Sequence, residues 1–169
     1  MKNCFLTGRY RQTFTTLVFV LAVSFVLVAV PQARAQEGQG KYITEATMRL
    51  MKLADKSNAD GFEMKDNLFS IGGGWLKQGK ETWVALFTIS LVQGKQYRFL
   101  AAGDGDAKDL DLQIVDAKGK VVAEDVATNP EAIVNFTPPA TGTYVIRLRL
   151  YDSRNNLPCA CLGVVLDKR

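Results

Sequence analysis

Four carboxylates, Asp104, Asp106, Asp109 and Asp111, fall within eight residues of one another. Hard oxygen donors at that density suit calcium, which takes about 6–8 oxygen ligands. The spacing is not that of an EF-hand, because the required glycine and terminal glutamate are missing from their positions. The same cluster also reads as a solvated acidic loop leading into a strand, and the residues alone leave both readings open. Asp111 is the sharpest candidate ligand.

The chain contains no histidine. That removes Ser-His-Asp and Cys-His catalysis, histidine-ligated zinc and the commonest general base near neutral pH. A carboxylate pair or a Ser-Lys pair remains open, although no one Asp/Glu pair stands out, because such pairing is spatial. Cys159 and Cys161 flank Ala160. On a strand, residues two apart share a face but sit near the upper limit of Cα separation for a disulfide. They read as two small half-buried thiols, with a strained bridge or an intermolecular disulfide as alternatives. Gly72, Gly73 and Gly74 are not followed by the Gly-Lys-Ser/Thr of a phosphate loop and precede a strand, which predicts a bend. Trp75, Trp83, Tyr97 and Tyr151 are candidates for an aromatic platform that takes glycans, or for core and cross-strand pairs. Arg147 and Arg149 read as partners of neighbouring carboxylates or as solvated side chains, and less as an anion site.

These residues need elements to position them. Ile43, Ala46, Leu50, Leu53 and Ala54 recur at three and four, which predicts an amphipathic helix over 43–56, stopped by the turn residues from Ser57 to Gly61. After Gly61 the period becomes two. A strand is expected around Leu68 to Ile71. Trp83, Ala85, Phe87, Ile89 and Leu91 can share one face of a strand that ends at Gln93-Gly94-Lys95, a hairpin turn into Tyr97, Phe99 and Ala101. Leu110, Leu112 and Ile114 alternate with Asp111 and Gln113, and Asp116 to Gly119 turns the chain back along Val121 and Ala123 to Asp125. A short strand from Ile133 to Phe136 ends at two prolines. From Thr143 to Tyr151, the residues Tyr144, Ile146, Leu148 and Leu150 face one way and Thr143, Arg147 and Arg149 the other. The last strand runs from Cys159 to Leu166, with Asp167, Lys168 and Arg169 as a solvated tail. Seven or eight such strands predict a mostly β fold, an antiparallel sandwich with one N-terminal helix on an end or an edge.

The first residues carry Lys2, Arg9 and Arg11 without an acid, and Leu17 to Val30 is apolar except for Ser24. With Pro31 and Ala33-Arg34-Ala35, this reads as a signal peptide over residues 1–35, cleaved before Gln36. The apolar run is shorter than the roughly 20 residues of a membrane span. The expected product is a secreted or periplasmic protein with no stable membrane anchor. Residues 36–61 form its polar N-terminus and helix, and residues 62–169 its sandwich domain. Of 21 basic residues, Lys2, Arg9, Arg11 and Arg34 lie in the leader, which leaves 17 against 17 acidic residues. A neutral product does not point to nucleic acid as a partner.

Trp75-Leu76-Lys77-Gln78-Gly79-Lys80, Gly94-Lys95-Gln96-Tyr97, Asp109-Leu110-Asp111-Leu112, Asp125 and Thr141-Gly142-Thr143-Tyr144-Val145-Ile146 occur in that order. Over roughly residues 68–166, the sequence resembles the bacterial pre-peptidase C-terminal domains. The resemblance implies a jelly-roll-like β-sandwich that is a non-catalytic accessory of secreted proteases or a stand-alone exported domain. It also implies calcium at Asp109 and Asp111, with Asp125 contributing from the returning strand. The expected function is an exported binding or structural module for a protein, peptide or glycan. A small secreted hydrolase that uses carboxylates, and an envelope assembly subunit that docks through the helix, are the alternatives.

Overall fold

A computed structural model of the chain describes residues 38–64 and 69–169. The expected leader, residues 36 and 37 of the expected polar N-terminus, and Leu68 lie outside the described residues.

Helix α1 (Gln39–Ala59) extends beyond the expected 43–56 at both ends. Its first turn is anchored by Tyr42, which meets Trp75 edge-on with ring centroids 6.0 Å apart. At the other end the Ser57 hydroxyl donates to the Leu53 carbonyl at 2.9 Å, so this serine continues the helix instead of stopping it. Gly61, at φ 75°, makes the exit.

Nine strands follow among the described residues: β1 (Phe62–Glu63), β2 (Ile71–Leu76), β3 (Val84–Leu91), β4 (Tyr97–Gly103), β5 (Ala107–Asp116), β6 (Val121–Asp125), β7 (Glu131–Phe136), β8 (Gly142–Ser153) and β9 (Cys159–Lys168). They form two antiparallel sheets. In one, β1 and β2 both pair with β9, and the order continues through β4 to β7; the other has the order β3-β8-β5-β6. Among the described residues the fold is a β-sandwich with one α-helix.

Two cores hold it. Between the sheets lie Phe99, Leu110, Leu112, Ile114, Ile146, Leu148 and Leu150. The inward alternation on β8 is the one its sequence predicts, with Tyr144 included and Arg147 and Arg149 outward. The second core lies between α1 and the outer side of the first sheet, where Leu50, Leu53 and Ala54 meet Leu100, Ala102, Val164 and Leu166. The helix therefore covers a sheet face, not an end or an edge. Its apolar stripe is used within the domain, and β4 and β9 are buried on both sides.

Three other expectations change. Gly94, at φ 75°, does not close a hairpin. It carries the chain from one sheet to the other, since β3 pairs with β8 while β4 pairs with β9 and β7. The three glycines make no bend either, but lie inside β2 and pair with β9. A Cβ on Gly73 would stand 2.1 Å from the Leu162 side chain, and one on Gly72 would stand 2.8 Å from the Phe87 ring, so glycine here serves close packing. At the C-terminus, strand pairing continues through Lys168, whose partner is Phe62. Lys95 holds Asp167 at 2.6 Å, and the backbone N–H of Arg169 donates to Gly61, so these residues are not a solvated tail.

Candidate functional site

The outer side of the β3-β8-β5-β6 sheet collects most of the polar and aromatic residues singled out by the sequence. Register places Arg149 opposite Asp111 and Arg147 opposite Gln113. The Arg149 Nε donates to Asp111 Oδ2 at 2.6 Å, and the Arg147 Nε donates to Gln113 Oε1 at 2.9 Å. Gln113 passes the contact on by donating to Glu124 Oε2 at 2.7 Å. These are cross-strand pairs on one face of a sheet.

Trp83 reaches the same face because β3 carries a bulge between Ala85 and Phe87. Ala85 stands opposite outward-facing Arg147, whereas Phe87 stands opposite inward-facing Ile146. One extra residue thus reverses the side on which the strand places its side chains. The Arg149 guanidinium lies 4.6 Å from the Trp83 ring centroid and 4.9 Å from that of Tyr151, while Arg147 lies 5.3 Å from Trp83. Lys80 adds a cation 5.7 Å from Tyr151. Of the four expected platform aromatics, these two share a face. Trp75 lies against α1, and Tyr97 is buried with its hydroxyl accepting the Val92 N–H at 3.1 Å.

The acidic residues separate into two groups. Asp104 and Asp106 build structure: the Asp104 carboxylate accepts the N–H of Asp106 at 2.9 Å and of Ala160 at 2.6 Å, and Asp106 pairs with Arg154 at 3.3 Å. Asp109 and Asp111 share the outer face and line a cleft of ≈ 330 Å³ with Val126, Thr128, Arg149 and Tyr151. Asp125 does not join them. It stands opposite inward-facing Leu112, and its two oxygens accept the Ala127 N–H at 3.0 Å and the Ile133 N–H at 2.8 Å. Among the described residues, no three carboxylates or thiols are grouped as metal ligands. Val126 and Thr128 belong to a loop that nothing in the sequence marks apart from its place after the hairpin.

Burial pushes the Asp109 carboxyl above the ordinary 3.8, with the nearby Asp111 charge adding to the shift. Burial also raises Asp111, against the opposing pull of Arg149. Asp109 is 6 % exposed, and its Oδ1 has no hydrogen-bond partner among the described residues. A carboxyl whose folded pKa is raised stabilises the fold fully below 3.8, and that contribution is lost as pH rises through the folded value. Asp109→Asn is therefore expected to raise the melting temperature at pH 7 and to leave it nearly unchanged at pH 3.5. The amide removes the buried charge and its repulsion with Asp111, and a gain of about 1 kcal/mol corresponds to several degrees in a domain of this size. Melting curves at the two pH values check this, and a lower melting temperature at pH 7 would show that the Asp109 carboxylate is satisfied.

Cys159 and Cys161 are free thiols, both fully buried in the inter-sheet core, not half-buried as expected. Burial, then the Asp104 charge, pushes Cys159 up to about 12, and burial raises Cys161 as well. Protonated and enclosed, neither is a nucleophile near neutral pH.

A scan against models of known protein families finds no match, and a search of curated proteins finds none either.

Proposed function

We propose that this chain is an exported, non-catalytic binding module whose ligand face is the outer side of the β3-β8-β5-β6 sheet. The observation that carries the reading is the bulge in β3, which turns Trp83 out of the core and onto Arg147 and Arg149. Half-exposed aromatics interleaved with guanidinium groups offer stacking and hydrogen-bond donors together, as glycans and peptides require. The absence of histidine and the enclosed thiols favour binding over turnover. Export rests on the leader-like sequence of residues 1–35, and the resemblance to pre-peptidase C-terminal domains fits the same role.

The calcium role implied by that resemblance would fall to Asp109 and Asp111. Asp125 is turned away, and Arg149 already occupies Asp111, so two carboxylates are few donors for an ion that takes about 6–8 oxygens. Melting with excess calcium and with a chelator tests that role. The raised pKa of Asp109 beside a second carboxylate favours one further reading, a hydrolase with Asp109 as acid. Turnover in a glycosidase and peptidase screen that disappears in Asp109→Asn would establish it.

The binding reading is tested on glycan and peptide arrays with the wild-type chain and Trp83→Ala. A retained ligand should weaken by roughly tenfold or more (about 1.4 kcal/mol) in the variant, with binding measured well below its melting temperature so that the lost contacts to Arg147 and Arg149 do not unfold it. Equal binding by the two proteins would remove the outer sheet face from the interaction.

A further inference from the structure

The cleft beside Arg149 is not balanced in charge. Its walls carry two carboxylates, Asp109 and Asp111, and one guanidinium, Arg149, which is committed to Asp111 at 2.6 Å. The other acids nearby are occupied. Asp152 pairs with Lys108 at 3.7 Å, and both oxygens of Asp125 accept backbone amides, which fills its hydrogen bonds and leaves its charge to add to the negative field of the cleft. What remains is the Asp109 carboxylate, more than nine-tenths buried, with one oxygen that meets no donor among the described residues. A group in that position calls for a partner, because an uncompensated buried charge is costly.

A divalent ion would find only one uncommitted carboxylate where it needs about 6–8 oxygens, whereas a monocation with N–H donors can be held by a single carboxylate. The remaining walls suit a hydrocarbon stem attached to such a head. Val126 is 51 % exposed and Tyr151 presents an aromatic ring, while Thr128 contributes a methyl and a hydroxyl. The ≈ 330 Å³ of the cleft leaves room for such a side chain.

We propose that this cleft binds an alkylammonium group, such as the side chain of a lysine, with Asp109 as its counter-ion and Val126 and Tyr151 against its stem. The proposal rests on the outer sheet face being the ligand face, and it gives that face a chemistry: a ligand that brings its own positive charge to the acidic end of the arginine and aromatic row.

The test is titration calorimetry on the full chain, with n-butylammonium, with an extended peptide carrying one central lysine, and with calcium chloride at matched ionic strength. Saturable binding of the ammonium probes is expected, weakened at least tenfold by Asp109→Asn and unchanged by Asp116→Asn. The Asp109→Asn chain is expected to be the more stable one, so a loss there is not unfolding. Tighter binding of the peptide would identify a lysine side chain as the source, and equal affinities a small free amine. Absence of saturable binding, equal binding by Asp109→Asn, or Asp109-dependent binding of calcium that excludes the amines would each overturn the proposal. An array ligand lost by Trp83→Ala but kept by Asp109→Asn would leave the binding face standing while the ammonium site falls.

Discussion

Arg149→Ala is expected to destabilise the protein by about 3–5 kcal/mol, the loss that follows when one partner is taken from a buried ion pair. The Asp111 side chain is 2 % exposed and the Arg149 side chain 16 %, so solvent does little to screen the pair. Without the guanidinium, Asp111 must either hold an uncompensated charge in the sheet face or take up a proton. The same substitution removes the cation between Trp83 and Tyr151, a further loss of packing. For a domain whose whole stability is about 5–15 kcal/mol, the variant should melt far below the wild type. The penalty should shrink at acid pH, where Asp111 protonates and no longer needs the arginine. Asp111→Leu combined with Arg149→Met should recover most of the loss, because two matched apolar side chains leave no charge behind. Urea melts of the two single variants and the double variant at pH 7 and pH 4 measure all of this. If Arg149→Ala melts within a degree of the wild type, the pair holds nothing together.

This pair shows how far residue patterns reach. Strict alternation on β8 places Arg147 and Arg149 on one face and Leu148 and Leu150 on the other without knowledge of the partner strand. The identity of the partner is a different kind of information. Asp125 follows a hairpin turn and lies near Asp111 in sequence, yet register sets it opposite Leu112, on the other side of the sheet. A shift of one residue in pairing decides the face, and local composition does not report it. Trp83 repeats the lesson. Its spacing puts it with Phe87, Ile89 and Leu91, and the bulge between Ala85 and Phe87 has no marker such as glycine or proline. The covering of β4 by the helix did leave a trace, because Phe99-Leu100-Ala101-Ala102 is apolar without interruption, as a strand buried on both sides requires. The alternation of Tyr97, Phe99 and Ala101 accounts for only one of those two faces. The orphaned oxygen of Asp109 has no signature in sequence, since it depends on which donors the fold fails to supply.

Asp104→Ala is expected to cost about 3 kcal/mol, the second large loss, although this residue touches neither the cleft nor the arginine row. Asp104 is fully buried, and each carboxylate oxygen takes one backbone N–H, from Asp106 on the way into β5 and from Ala160 within β9. Hydrogen bonds to a charged acceptor contribute about 1.5–3 kcal/mol each, and their loss leaves the buried Ala160 amide and the part-buried Asp106 amide without acceptors. The Asp104 backbone is tied to the helix as well, since Arg49 Nη1 donates to the carbonyls of Gly103 and Asp104 at 2.8 and 2.9 Å. The turn that launches β5, the strand that carries both cleft carboxylates, is therefore fastened to β9 through a side chain and to α1 through the main chain. Asp104→Asn should recover only part of the loss, because one of its two polar atoms is a donor facing another donor. Amide hydrogen exchange separates this local fastening from a general loss of packing. In Asp104→Asn, whose single acceptor oxygen can serve only one of them, the amide of Asp106 or of Ala160 should exchange faster, while those in the middle of β8 keep their protection. Unchanged exchange at Asp106 and Ala160 would mean that Asp104 does not hold them, and the origin of its burial would have to be sought in the turn alone.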